Sequence, residues 1–412
     1  MTTADPAAAY VLVLHASASR LRFGVFRSVA SAAWASHAQG QVESIGCLPR
    51  LLVKDAAGGV LEERALDESV SDLRTAVAEA AAWFRATYRG SRLLGVGHHV
   101  PHGGVRYQRP TLVTPQVMRD LRELIPLAPR QQPHSVAAIV ATAEHLAVPQ
   151  VACFDTSFHG ARPTVTTVIP LPSSIRRAGV HRYGFHGLSY QYVAAMLPRI
   201  APEIAGGRVI LVHLGTDAAL CALKAGASID TTEGFSPLDG LCTGTRPGSL
   251  DPGVILHLFQ TLGLSAADVE AILYEQSGLL ALSGVSDDVR ELLTSDAPAA
   301  RQAVDYFVYR AAKEIGGLTA VLGGLDALVF TGAVAESSPE IRRRVCDSCG
   351  WLGVHLDQGA NVRAASRISR RGSRVSAWVI PTNEELMIAS HTGAVLGIMD
   401  LALAPAARRG DL

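Results

Sequence analysis

Apolar residues along this chain fall into short runs separated by small or polar turns, and the runs alternate with stretches of helical spacing. Residues 10–26, YVLVLHASASRLRFGVF, place two β-rich runs around a small-residue turn and predict a hairpin. Residues 67–88 are Ala-rich with apolar positions at helical spacing and predict a helix. Residues 93–100 (LLGVGHHV) predict a strand running into the turn His102-Gly103-Gly104. Helices are expected over 114–125 and 135–146, around a polar loop at 126–134, with a further short strand at 150–155. A second hairpin pattern occupies 208–229, and a strand at 327–330 runs into Thr331-Gly332. The same order of parts in both halves suggests an internal duplication. Strands alternating with helices indicate the α/β class, with a domain boundary near residue 150 that no linker composition marks.

Composition narrows the chemistry. The 412 residues carry 37 basic and 37 acidic side chains, and of the basic ones only Lys54, Lys224 and Lys313 are lysines. No lysine sits in a Walker-A loop or a kinase V-A-I-K strand. A net charge of zero lacks the basic field that nucleic-acid binding uses. The N-terminal stretch has no positive n-region, and no apolar run is long enough for a membrane span, so neither export nor a membrane partner is expected. Six scattered cysteines suit a reducing cytoplasm. The turns His15–Arg20 and Gly215–Ala218 offer backbone N–H groups that can hold an anion without lysine.

Eight segments are far more specific: PHGG (101–104), FDTSFH (154–159), RYGFHGLSY (182–190), HLG (213–215), GFSPLDGLCTGTRPGSLDPG (234–253), SGLLALSGVSDDVREL (277–292), VFTG (329–332) and IPTNEELMIA (380–389). In this order they resemble the acetate/propionate kinase family over nearly the whole chain. The resemblance implies an α/β fold of two actin-like (ASKHA, RNase H-like) domains with the active site in the interdomain cleft. It implies domains over 1–150 and 151–385, with a C-terminal helix at 386–412 returning to the first. It also implies a homodimer that moves the γ-phosphoryl group of ATP to a short-chain carboxylic acid, reversibly, with Mg²⁺ or Mn²⁺.

Carried over position by position, the resemblance makes Arg246 and His186 the groups that stabilise the transferring phosphoryl. Asp155 becomes the catalytic acidic residue near metal and substrate, and Glu384 the metal-linked carboxylate. His213 and Gly215 stand at the phosphate-binding strand end. Asp288 and Arg290 fall on the adenosine side, and Gly332 in the turn under the nucleotide. Phe185 and Pro237 wall the acyl pocket.

The departures cluster in the first half. The family's phosphate- and metal-organising asparagine is His15, its lysine is Arg22, and its carboxylate-binding arginine is His99. Pro101 replaces a pocket valine, and Arg130 and Gln131 replace leucine and histidine. In the second half Thr216 and Asp217 replace asparagine and glycine, and Glu336 lies in an altered glycine turn with Ala333 and Ala335. Arginine is always charged, histidine only at times. Asp217 puts a negative charge beside the expected phosphates. Three readings follow: a kinase for a more polar acid, with Arg130 restoring the charge lost at His99; a weak or inactive member that binds nucleotide or a partner; or the same chemistry run from acyl phosphate to ADP. Cys346 and Cys349 and the His98–His102 cluster read as structural, and the run Arg342–Arg344 as a solvated helix face.

Overall fold

The strand β1 (Ala9–Ala16) is apolar on both faces, and it lies in the interior of a sheet rather than at its edge. The computed structural model describes residues 8–29 and 33–398. The first seven residues, and 399–412 of the expected C-terminal helix, lie outside the described residues.

The chain divides into two units. The first comprises residues up to Gly160, Gly187–Tyr192 and those from Asn383 onward; the second comprises Ala161–His186 and Val193–Thr382. In the first unit β1 is followed by β2 (Arg20–Val29), β3 (Ala33–Glu43), β4 (Arg50–Asp55), β5 (Val60–Ala65), β6 (Arg92–Val100), β7 (Thr111–Leu112) and β8 (Gln150–Phe154). They form one sheet in the order β5-β4-β3-β2-β1-β6-β8-β7. β1 and β2 are the expected hairpin, with His15 opposite Arg22. β6 runs parallel to β1 and β8 parallel to β6.

The predicted helix at 67–88 is shorter, Leu73–Thr87, because Asp72 caps it in a capping box with Thr75. It buries Leu73, Val77, Trp83 and Phe84 against the sheet. The helix Glu384–Val395 lies over the opposite part of this unit. Its close approach needs Gly97 on β6, where a Cβ would stand 2.3 Å from Thr392 Oγ1 and 2.6 Å from Ile388 Cγ2.

The second unit repeats the layout. β9 (Arg208–Leu214) and β10 (Ala218–Lys224) form an antiparallel hairpin, followed by β11 (Ala227–Thr231), β12 (Ala327–Thr331) and β13 (Ser376–Val379). The order is β11-β10-β9-β12-β13, with β9, β12 and β13 parallel. This matches β3-β2-β1-β6-β8 strand for strand, so the duplication seen in the sequence is a duplication of topology. The 25-residue helix Pro298–Leu322 covers one face and buries Val304, Phe307, Ala311 and Ile315. Among the described residues no helix is long and apolar enough to cross a membrane.

Candidate active site

In the first unit the parallel strands β1, β6 and β8 end side by side, and their ends carry the candidate groups. His15 near the end of β1 stacks on His99 of β6, with ring centroids 4.0 Å apart and planes 12° from parallel. His15 Nδ1 accepts a hydrogen bond from Arg22 on the paired strand at 3.0 Å. That bond places the neutral ring's proton on Nε2. Burial, His99 and Arg22 all push the His15 pKa well below its ordinary value, so His15 is neutral.

His99 Nε2 lies 2.7 Å from Asp155 Oδ2, just beyond β8. Burial lowers the His99 pKa, but Asp155, through charge and hydrogen bond, and Glu384 more than offset it, and the net shift is upward. The imidazolium is thereby favoured where the family resemblance places arginine. Ser135 Oγ donates to the His99 carbonyl at 3.1 Å. Asp155 is fixed by its own N–H on the Val100 carbonyl (3.1 Å) and by its carbonyl, which accepts from Gly187 N–H at 3.0 Å.

Glu384, half-buried, opens the helix Glu384–Val395, where the N-terminal end of the helix favours a carboxylate. Its neighbour Glu385 has a pKa raised by burial; Glu384 adds to the rise, while Arg22 and a hydrogen bond from Gln39 oppose it. The cation acting on both His99 and Glu385 is Arg22. Arg130 lies half-buried in the turn before the helix Gln132–His145, and Pro101 is buried just after β6.

In the second unit His213, next to last in β9, stacks on His186 at 4.7 Å with planes 19° apart. His186 has a left-handed backbone (φ 56°) immediately before the helix Gly187–Ile200. Its Nε2 is 3.7 Å from the buried Glu233, a residue the motif comparison did not single out although TTEGF precedes the specific segment directly.

Arg246 is buried. Its Nε donates to Thr243 Oγ1 at 3.3 Å and one Nη to the Pro237 carbonyl at 3.2 Å, while the other Nη is paired with Asp217. Phe185 is buried nearby in sequence to His186. Burial would raise the Asp217 pKa, but Arg246, His186 and His213 outweigh it and hold the carboxyl below the ordinary range. The β9–β10 turn is closed by Gly215 N–H on the Asp217 carbonyl at 2.7 Å.

Beside this cluster, Gly215, Thr216, Asp288, Arg290 and Ala333 line one cavity, so most of the expected nucleotide-side residues converge. Asp288 caps the helix Val289–Thr294 and pairs with Arg290. Gly332 has φ +86°, and a Cβ there would stand 2.7 Å from the Leu214 carbonyl, so only glycine fits. Glu336 holds this turn: its Oε1 accepts from Gly332 N–H (2.8 Å) and Thr382 N–H (3.1 Å). No group of three or more possible metal-ligating His, Cys, Asp or Glu side chains occurs among the described residues.

The acetokinase family profile matches residues 10–390. The chain is 48% identical to an acetate kinase of Rhodopseudomonas palustris, over 92% of this chain and 97% of the relative. It is likewise 48% identical to an acetate kinase of Nitrobacter hamburgensis, over 94% and 96%. Among solved structures it resembles a propionate kinase of Francisella tularensis (TM-score 0.87, 29% identity, 93% and 98% coverage). It also resembles an acetate kinase of Porphyromonas gingivalis (TM-score 0.85, 33% identity, 94% and 100% coverage). With motifs, duplicated topology and whole-length relatives in agreement, the chain belongs to the acetokinase family.

Proposed function

We propose that this protein is a phosphotransferase that moves the γ-phosphoryl group of ATP to the carboxylate of a short-chain acid. A carboxylate oxygen forms the new bond to the γ-phosphorus as the bond to the β,γ-bridging oxygen breaks, giving an acyl phosphate and ADP. The observation that carries this reading is the clustering of Arg246, His186 and His213 with the Gly215–Asp217 turn, next to the cavity lined by Asp288 and Arg290. Phosphoryl transfer asks a protein mainly for position and positive charge, and these groups supply both.

In this assignment Arg246 and His186 donate to the equatorial phosphoryl oxygens, and His213, Gly215 and Thr216 hold the phosphates. Asp288, Arg290 and Gly332 bound the nucleoside. His99, held charged by Asp155, faces the acceptor carboxylate, with Arg22 adding charge on its other side. Phe185, Pro237 and Pro101 wall the acyl group, and Arg130 serves the polar end of the acceptor.

The donor set fits a hard divalent cation at Asp155 and Glu384, whose carboxylate oxygens are what Mg²⁺ takes. His15 does not fit as a ligand, because its Nδ1 already accepts from Arg22. When bound, Mg²⁺ neutralises charge on the phosphates; the residues named above bind, orient and hold protons.

A homodimer is proposed on separate grounds. The helix Pro252–Gln260 has no buried residue although it is apolar, and Val254, Leu256 and Phe259 are exposed, with Leu262 just beyond it. Exposed apolar side chains gathered along one helix mark an association surface.

The test is ADP formation by the purified protein with Mg-ATP over a panel of short carboxylic acids, with Glu384→Ala as control. Turnover with one acid or a few supports the reading. Turnover with none, or turnover undiminished in Glu384→Ala, overturns it. Arg130→Leu should shift preference toward less polar acids.

A further inference from the structure

We infer that Asp217 is an internal anion that occupies Arg246 and makes the site selective for polyphosphate over singly phosphorylated or inorganic anions. The inference rests on the assignment of Arg246 to phosphoryl binding above.

The guanidinium of Arg246 is held in three directions. Thr243 and the Pro237 carbonyl fix its plane with neutral acceptors, and Asp217 supplies the only charged one of the three. Asp217 is well placed for exchange. Its backbone is tied by the Gly215 N–H, while its side chain is 47% exposed and can swing out of the pair. The same carboxylate lies in the field of His186 and His213. One negative charge therefore stands among the very groups that the reaction assigns to phosphate oxygens. Glycine, which the family resemblance places at this position, would take the carboxylate away from Arg246.

The consequence follows from charge exchange. A ligand that pairs with Arg246 must displace a carboxylate that is already paired and hydrogen-bonded. A singly or doubly charged small anion replaces one charge-assisted bond by another and gains little. A nucleoside polyphosphate brings more charge, and contacts in the neighbouring cavity besides, so its net gain survives. Asp217 thus acts on specificity through Arg246, as a positioning residue.

Binding is measured by calorimetry with inorganic phosphate and, separately, with Mg-ADP, on the full chain. The variants are Asp217→Asn, which keeps the shape and removes the charge, and Asp217→Gly. Relief of one charge pair is expected to tighten inorganic phosphate binding about tenfold in both variants, with a smaller change for Mg-ADP. In an Arg246→Gln background the Asp217→Asn effect on phosphate should shrink to what His186 and His213 contribute, and an undiminished effect overturns the inference. Phosphate affinity that stays the same or falls in both variants overturns the inference. So does a loss of Mg-ADP binding in Asp217→Asn, which would make the carboxylate part of the nucleotide's own binding. Neither readout needs turnover, so failure here is separable from failure of the acid panel to give ADP.

Discussion

His15 and His99 stack face to face at 4.0 Å, yet their proton affinities are driven in opposite directions. Two imidazolium rings in that contact would repel, so one must be neutral. Burial, the neighbouring His99 and the Arg22 guanidinium that donates to it keep His15 neutral, while Asp155 holds the proton on His99. The pair behaves as one cation with a neutral backing plate.

A pH dependence follows from that pair. The His99 pKa is raised, so the imidazolium persists past the ordinary histidine range and is lost only as pH climbs through the raised value. We expect kcat/KM to fall along that alkaline limb. Asp155→Asn removes the charge responsible for the rise, so the limb should move to lower pH. His99→Gln should abolish this limb and lower kcat by about 10²–10³-fold, as loss of one charge-stabilising donor does. The pH profiles of the three proteins check this; a limb unmoved in Asp155→Asn contradicts it.

Glu384 should separate activity from stability. Its side chain is half-buried at the first turn of the Glu384–Val395 helix, and it raises the pKa of Glu385 next to it. Glu384→Ala loses a favourable helix-end charge worth about 0.3–1 kcal/mol but also relieves that repulsion. The expected result is loss of turnover with a thermal midpoint nearly unchanged. A large drop in the midpoint would assign Glu384 to the fold instead.

Glu336 should show the reverse order of effects. Its Oε1 accepts two backbone N–H groups, from Gly332 and Thr382. Glu336→Ala leaves both without that acceptor, at a cost of roughly 1–3 kcal/mol for each donor left unsatisfied. Glu336→Gln keeps an oxygen in place and should be milder. Denaturant melts of both variants read the difference, and equal losses would place the role in the charge rather than the bond.

The first unit should be acid-labile. Burial drives the pKa of His98, His102 and His391 each to about 4. Each is neutral when folded and binds a proton near pH 6.5 when unfolded. Their contribution to stability is intact above about pH 6.5 and is lost as pH falls from there toward 4. Thermal midpoints should drop steeply across that window. His391→Gln, which can still face Gln191, should lessen the slope by up to one proton.

The exposed helix Pro252–Gln260 gives an assembly prediction. Leu256→Asp puts a charge in its apolar face. It should shift the protein from dimer to monomer in sedimentation while leaving the melt of the monomer unchanged. A wild-type protein that sediments as a monomer would remove the proposed interface.

The hairpins were legible because β1 and β9 are apolar on both faces, a pattern that only interior strands carry. The meander β3–β5 was not, since β5 (VLEERA) is an edge strand with mostly exposed side chains and offers no alternation to find. Most of the residues that motif order assigned to the nucleotide side, Asp288 and Arg290 among them, line one cavity. Motif order could not show that Asp217 reaches Arg246, a contact made across separate loops, nor that Arg22 lies in the field of His99. The second was within reach: a three-residue turn at Ser17–Ser19 sets His15 opposite Arg22, and His15 neighbours His99 once β1 and β6 are paired in register.

The first unit is begun at one end of the chain and completed near the other. Its sheet needs Ile388 and Thr392 against Gly97, yet those two residues are made after all of the second unit. During synthesis the second unit can close on its own segments as an almost uninterrupted domain. The nascent first sheet meanwhile waits with an apolar face open to water. Folding in the cell is therefore ordered from the middle outward, and the early-made half is the one exposed to chaperones and proteases until the last helix emerges.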